Sequence, residues 1–299
     1  MRAYELPTED PLVRRPSVPG IAWVGVGLAI VGIALFLIGT PDGFLRKMDY
    51  VGAAVCHRRP SHSFTVDGRQ LPLCQRCTGT FSGALMGILV HWGLLRRRRA
   101  MRFPHWTLMV PVVLFAAAWG LDGINSTTSD GQFGMLLQQF ISRPEGVGVL
   151  GYAPQPWLRL LTGALMGMAM SIILVPAFNQ SVWADAEDEP ALRSWHELAL
   201  LIAVELAMTG LILLLEGLPS RAALYALTIT SVLGVVTMFT LLGAMMIVLV
   251  IPRLATARRW REAWIPLTWG VVFALVIVIG MDASRLWLTG TIDGVPGMD

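Results

Sequence analysis

Every cysteine of the chain falls in one stretch, CHRRPSHSFTVDGRQLPLCQRCTG, running from Cys56 to Gly79. The pattern is Cys56-His57, sixteen residues, then Cys74-x-x-Cys77. Thiolates and imidazole are the ligands of tetrahedral zinc and, less commonly, of iron. Arg58, Arg59, Arg69 and Arg76 crowd the thiols and are expected to favour the thiolate form. Cys56, His57, Cys74 and Cys77 are therefore the expected metal ligands, with zinc the expected cofactor. Adjacent side chains diverge in a helix or a strand, so Cys56 and His57 reach one ion only across irregular backbone. His62 is the alternative imidazole. Two other readings stay open: a disulfide from Cys56 to one of the pair, or thiol–disulfide exchange at Cys74 and Cys77. A zinc site needs the sulfurs to converge to within about 4 Å.

Further along, Asp122 ends an apolar run and Arg159 opens the next. Asp122 is expected to orient His57 or to act as a ligand, with Arg159 keeping the carboxylate ionised and Arg76 beside the thiols. Gln132, Gln138, Gln139 and Arg143 are candidates to line a polar pocket there. Glu205 lies within an apolar run, where an ionisable group is a functional candidate by default. Asp282 and Arg285, three apart, read as a helix pair at the membrane edge. His91 and His196 read as interfacial residues. No phosphate-binding glycine loop, Ser/His/Asp arrangement, haem motif or basic-aromatic surface stands out, and no nucleic-acid partner is expected.

These residues must be held by helices in lipid. The chain is 55% hydrophobic and only 14% charged, with a mean hydropathy of +0.61; soluble domains average about a quarter charged. Seven apolar runs approach the ~20 residues that cross a bilayer. They are Ile21–Gly39, Thr78–Leu95, Trp106–Leu121, Leu158–Phe178, Leu198–Leu215, Leu224–Ile251 and Trp264–Leu288. The expected fold class is an all-α polytopic membrane bundle with a short Cys/His hairpin loop on its outer face. Asp67-Gly68, between Ser63–Val66 and Arg69–Leu71, is the hairpin turn. It sets Val66 opposite Arg69 and Ser61 opposite Cys74. The expected divisions are a polar tail (1–20), a four-helix module (21–178) carrying the Cys/His loop (41–77), an acidic inner loop (179–196), three further helices (197–288) and a tail (289–299). The first 20 residues lack an apolar segment, so the first run reads as an anchor that stays rather than a cleaved leader.

Lys47 and the 22 arginines orient the chain. An inward N-terminus puts 13 of these 23 cations inside, among them the compact run Arg96–Arg99. The expected location is the cell membrane, with a cytoplasmic N-terminus, an extracytoplasmic C-terminus and the cysteine loop facing away from cytosolic reductants. Ser82-Gly83-Ala84-Leu85-Met86-Gly87 recurs as Thr162-Gly163-Ala164-Leu165-Met166-Gly167. Such small-xxx-small stripes let helix backbones approach closely, and these two runs are expected to pack together.

The phrases Cys56-His57-Arg58-Arg59-Pro60, Ser63-Phe64 and Leu71-Pro72-Leu73-Cys74-Gln75-Arg76-Cys77-Thr78-Gly79 resemble the multi-pass membrane family catalogued as domain of unknown function 2085. Asp122-Gly123 and Arg159-Leu160-Leu161-Thr162-Gly163 resemble its later phrases, while His62 stands where arginine is expected before Ser-Phe. The resemblance covers roughly residues 45–175 and implies an integral membrane protein of unassigned activity. From the residues, the expected function is a zinc-like Cys/His site at the extracytoplasmic face. The alternatives are a membrane thiol–disulfide oxidoreductase, or a transporter or channel with Glu205 on a polar path. The bilayer is the one partner the sequence specifies.

Overall fold

The computed structural model describes residues 19–129, 144, 146–254 and 257–293. The expected pocket residues Gln132, Gln138, Gln139 and Arg143 lie outside them, as do most of both tails. The described residues form helices α1 (Pro19–Gly39), α2 (Phe44–Ala53), α3 (Gln75–Leu89), α4 (Trp106–Ser129), α5 (Pro156–Val182), α6 (Trp195–Glu216), α7 (Arg221–Val250) and α8 (Trp264–Thr289). Two short antiparallel strands, β1 (Ser63–Val66) and β2 (Arg69–Cys74), make a hairpin between α2 and α3, and β3 (Ala100–Arg102) pairs in parallel with β4 (Glu187–Pro190).

Among the described residues six helices are long and apolar enough to cross a membrane: α1 and α4 through α8. The expected span Thr78–Leu95 takes a different form. There α3 covers 15 residues and continues into a five-residue π turn, Val90–Leu94. His91, expected at the interface, is fully buried in that turn, its Nδ1 2.7 Å from the Gly87 carbonyl.

Contacts at the helix ends sort the bundle into two poles. At one, Asp122 of α4, Arg159 of α5 and Arg285 of α8 meet the cysteine segment, and Lys47 closes the end of α1 by donating to Leu37 O at 2.7 Å. At the other, Asn179 of α5 donates to Ala100 O, Arg97 pairs with Glu197 of α6 at 2.7 Å, and Trp269 of α8 donates to Ile21 O. The stretch from α3 through the π turn runs from the first pole to the second.

The tightest helix pair is α3 with α5. A Cβ on Gly79 would stand 2.2 Å from Leu160 O, one on Gly83 2.5 Å from Ala164 O, and one on Gly167 2.0 Å from Thr80 O. Partners advance together along both helices, so the two run parallel. The expected glycine seam is thus present, with only hydrogen able to occupy these Cβ positions.

Asp67 and Gly68 both take positive φ, 50° and 73°, as a two-residue hairpin turn requires. Val66 faces Arg69 as expected, but Cys74 is opposite Ser63 rather than Ser61. The register slips between Ser63 and Thr65, across from Pro72. Proline has no N–H for the ladder and is tolerated at such irregularities. The acidic segment after α5 is strapped down: β4 pairs with β3, and Asp185 meets Arg99 at 2.8 Å.

Candidate metal centre

The site is assembled from the loop after α2, the end of β2 and the first turn of α3. Cys74 is the N-cap of α3, in extended conformation, and its Sγ accepts a hydrogen bond from Cys77 N at 3.5 Å. A helix N-terminus presents unpaired N–H groups and positive potential, which favours a thiolate there. Cys56 arrives from the other side. Its Sγ accepts from Cys74 N at 3.2 Å and from Arg58 N at 3.4 Å. The second bond depends on Arg58 adopting φ 55°, a left-handed conformation that turns its N–H back on the sulfur. Buried contacts hold the strained residue, with Arg58 Nη1 3.0 Å from Asp49 Oδ1 and 2.8 Å from Asp49 O.

The result is three sulfurs, of Cys56, Cys74 and Cys77, all within 4.8 Å of one another. Cys56 and Cys74 are buried and Cys77 is half-buried. Hydrogen bonds with the Cys74 and Cys77 thiols hold Cys56 well below the ordinary thiol range, against the opposing push of burial, and His57 beside it adds to the effect. Cys74, bonded to Cys56, is pushed up to about 12. Three sulfurs thus share one readily formed negative charge. Among the described residues the set of converging ligand atoms is these three thiols; His57, next to Cys56, lies outside it.

Three of the four arginines expected to crowd the thiols are directed to carboxylates instead. Arg58 and Arg69 converge on buried Asp49, Arg69 at 2.6 Å. Arg76, between the cysteines of the pair, reaches Asp122 Oδ2 at 2.5 Å and Ser126 Oγ at 2.9 Å. Asp122 also accepts from Tyr152 Oη at 3.0 Å and from Thr162 Oγ1 at 3.4 Å. Its partner is therefore Arg76 rather than His57. Arg159, in turn, donates to Ser126 Oγ at 3.2 Å and to Gln75 Oε1 at 3.4 Å, and lies 3.2 Å from His62 Nε2. His62 then meets His57 edge to face, ring centroids 5.7 Å apart. Asp122 and Arg159 thus occupy one buried polar layer with the cysteines, joined to them through Arg76 and the two histidines.

Residues 56–173 match the family described as "Predicted membrane protein (DUF2085)". The DUF2085 match opens at Cys56 and closes inside α5. It takes in the hairpin, the CxxC turn, Asp122 and Arg159, and leaves α6, α7 and α8 outside. An uncharacterized protein of Methanocaldococcus jannaschii is 22% identical over 134 residues, 44% of this chain and 69% of that one. An uncharacterized protein of Methanothermobacter thermautotrophicus is 24% identical over 95 residues, 32% of this chain and 80% of that one. No solved structure matches.

Two supports of the site come from residues the sequence did not single out for it. Asp49 lies on α2, whose one-sided burial gives it an inward carboxylate; the amphipathic pattern of that short helix was the available signal. Arg285, outside the DUF2085 match, donates to Cys56 O at 2.6 Å, Ala53 O at 3.0 Å and His57 O at 2.8 Å. It fixes the Cys56-His57 backbone to α8 instead of pairing with Asp282 along its own helix. Between α2 and α8 a cleft of about 690 Å³ reaches Cys56 and His57, lined mainly by apolar groups such as Phe81, Phe239 and Met281. Glu205, the remaining intramembrane candidate, lies fully buried on α6, away from the thiol pole.

Proposed function

We propose that this membrane protein binds a soft divalent metal, zinc first, at Cys56, Cys74 and Cys77 on the extracytoplasmic face, with His57, which lies beside Cys56 outside the converged set, turning in as the fourth ligand. The observation that carries this is the convergence of three sulfurs within 4.8 Å while backbone N–H groups point at two of them. Bonds of 2.3 Å to a tetrahedral ion put sulfurs about 3.8 Å apart, so closure takes at most a small contraction. Asp49, Asp122 and Arg285 act as positioning residues: each fixes backbone or an arginine next to a ligand. The facing rests on Arg96–Arg99, which lie at the pole opposite the thiols and belong on the cytoplasmic side.

Exchange chemistry at Cys74 and Cys77 is the second reading, favoured by the Cys-x-x-Cys spacing at the start of α3, with Cys74 its N-cap and Cys77 in its first turn. Metal analysis with thiol counting on the purified full chain separates the two. The expected result is one metal per chain, lost in Cys56→Ser and retained about 10–100-fold less tightly in Asp122→Asn, with membrane insertion unchanged. Metal-free protein whose Cys74 and Cys77 cycle readily between dithiol and disulfide overturns the metal reading.

A further inference from the structure

The cleft beside Cys56 and His57 follows one face of α8. Ile277, Met281, Ser284, Arg285 and Leu288 line it, at spacings of three and four that put them on a single stripe. Phe81 of α3, Phe239 of α7 and, at the end of α2, Ala53 and Val55 complete the wall. From Ile277 to Thr289, the last residue of α8 in the lining, the helix rises about 18 Å. That is close to one leaflet's share of a hydrocarbon core about 30 Å thick.

The cleft changes character along that length. Ile277 and Met281 lie toward mid-membrane, whereas Ser284, Arg285 and Thr289 gather at the C-terminal end of α8, at the thiol pole and hence at the membrane edge. The Arg285 guanidinium sits on the wall itself, since its carbonyl acceptors belong to Ala53, Cys56 and His57, all lining residues. Among the described residues that line the cleft there is no carboxylate. Asp282, one turn before Arg285, lines a separate cavity between α1, α2 and α8. The Cys56 sulfur is drawn to the N–H groups of Cys74 and Arg58. Met281 and Leu288 are 50% and 71% exposed, so the cleft opens sideways toward lipid.

We propose that this cleft holds one membrane phospholipid with an anionic headgroup, its phosphate at Arg285 and one acyl chain laid along Met281, Ile277 and the two phenylalanines. The order of the wall matches a lipid standing in a leaflet, with charge at the membrane edge and hydrocarbon inward. Guanidinium pairs well with phosphate, and basic pockets between membrane helices bind anionic headgroups. The volume of about 690 Å³ is that of a ligand pocket, and the lateral opening leaves the second chain in the bilayer. This site does not depend on the thiols holding a metal.

The test is native mass spectrometry of the delipidated full chain in an uncharged detergent, titrated with dioleoylphosphatidylglycerol or with dioleoylphosphatidylcholine. Expected is one phosphatidylglycerol per chain, bound at least about fivefold more tightly than phosphatidylcholine, the effect of one arginine near a headgroup. Arg285→Gln should erase that preference, and Arg285→Lys, which keeps the charge but not the fork on three carbonyls, should retain it. A merely structural Arg285 would lose it in both. Ile277→Trp, which fills the apolar end of the cleft, should weaken both lipids alike and carries the test if the Arg285 variants fail to fold. Glycerol 3-phosphate, which has the phosphate and no chain, should not compete. Equal affinity for the two lipids, a preference that survives in folded Arg285→Gln, unchanged binding in folded Ile277→Trp, or displacement by glycerol 3-phosphate overturns the proposal.

Discussion

At the scale of single residues, Cys56 is the point on which the candidate centre turns. It accepts two backbone N–H groups, lies against His57, and is the sulfur most readily ionised. Cys74 is held up to about 12 by its bond to Cys56 and by burial, so at neutral pH it carries its proton until a metal displaces it. Zinc binding should therefore release at least one proton per chain in weakly buffered solution, read with a pH indicator, and affinity should fall as pH is lowered, because thiolates are the ligands. Zinc uptake without proton release would show that Cys74 is not displaced from its proton and is no ligand. The Cys-His…Cys-x-x-Cys pattern was legible in the sequence because spacing and residue type carry it. The clamp by Asp49 was not, since a lone Asp on a short amphipathic helix reads as a solvated face until Arg58 and Arg69 are seen folded onto it. Likewise Asp122 and Arg159 could be placed near the thiols, but only the packed layer shows that they serve Arg76 and His62 and not each other.

At the scale of elements, local chemistry fixed what it could reach. Asp67-Gly68 determines its turn by the positive φ of both residues, and the pairing beside it, Val66 with Arg69, follows. Four residues on, Pro72 breaks the ladder and the register expected for Cys74 moves by two. The π turn at Val90–Leu94 has no comparable signature in the sequence. The glycine seam of α3 and α5 was readable, since small residues four apart serve little other purpose in lipid. It also supports a stability prediction. Gly167→Val places carbon 2.0 Å from Thr80 O and should cost at least about 1–3 kcal/mol, lowering the thermal midpoint of the purified protein. Gly120→Ala on α4 meets nothing within 4 Å and should be neutral or stabilising by up to about 1 kcal/mol. Equal melting of both variants would mean that α3 and α5 are not in backbone contact.

At the scale of the whole molecule, composition alone was enough for a polytopic helical membrane protein, because a chain 14% charged has too little polar surface for water. Orientation is harder to read, since cations occur at both poles; the two poles differ in the partners their arginines keep. At the thiol pole Arg58, Arg69 and Arg76 are committed to Asp49 and Asp122, carboxylates each 2% exposed. Those charges are part of the packing. At the opposite pole Arg99 and Arg102 meet Asp185 and Asp188, whose side chains are 45% and 71% exposed. The compact Arg96–Arg99 run there is the feature that resists translocation. Asp42, exposed after α1 at the thiol pole, and Asp188, exposed on β4, therefore report opposite sides. In intact cells Asp42→Cys should react with a membrane-impermeant maleimide, and Asp188→Cys should react only after permeabilisation, with the unaltered chain as the blank for its own thiols. Labelling in the reverse order would put the thiol centre in the cytosol, among reductants, and would remove the compartment argument against a lasting reduced dithiol at Cys74 and Cys77.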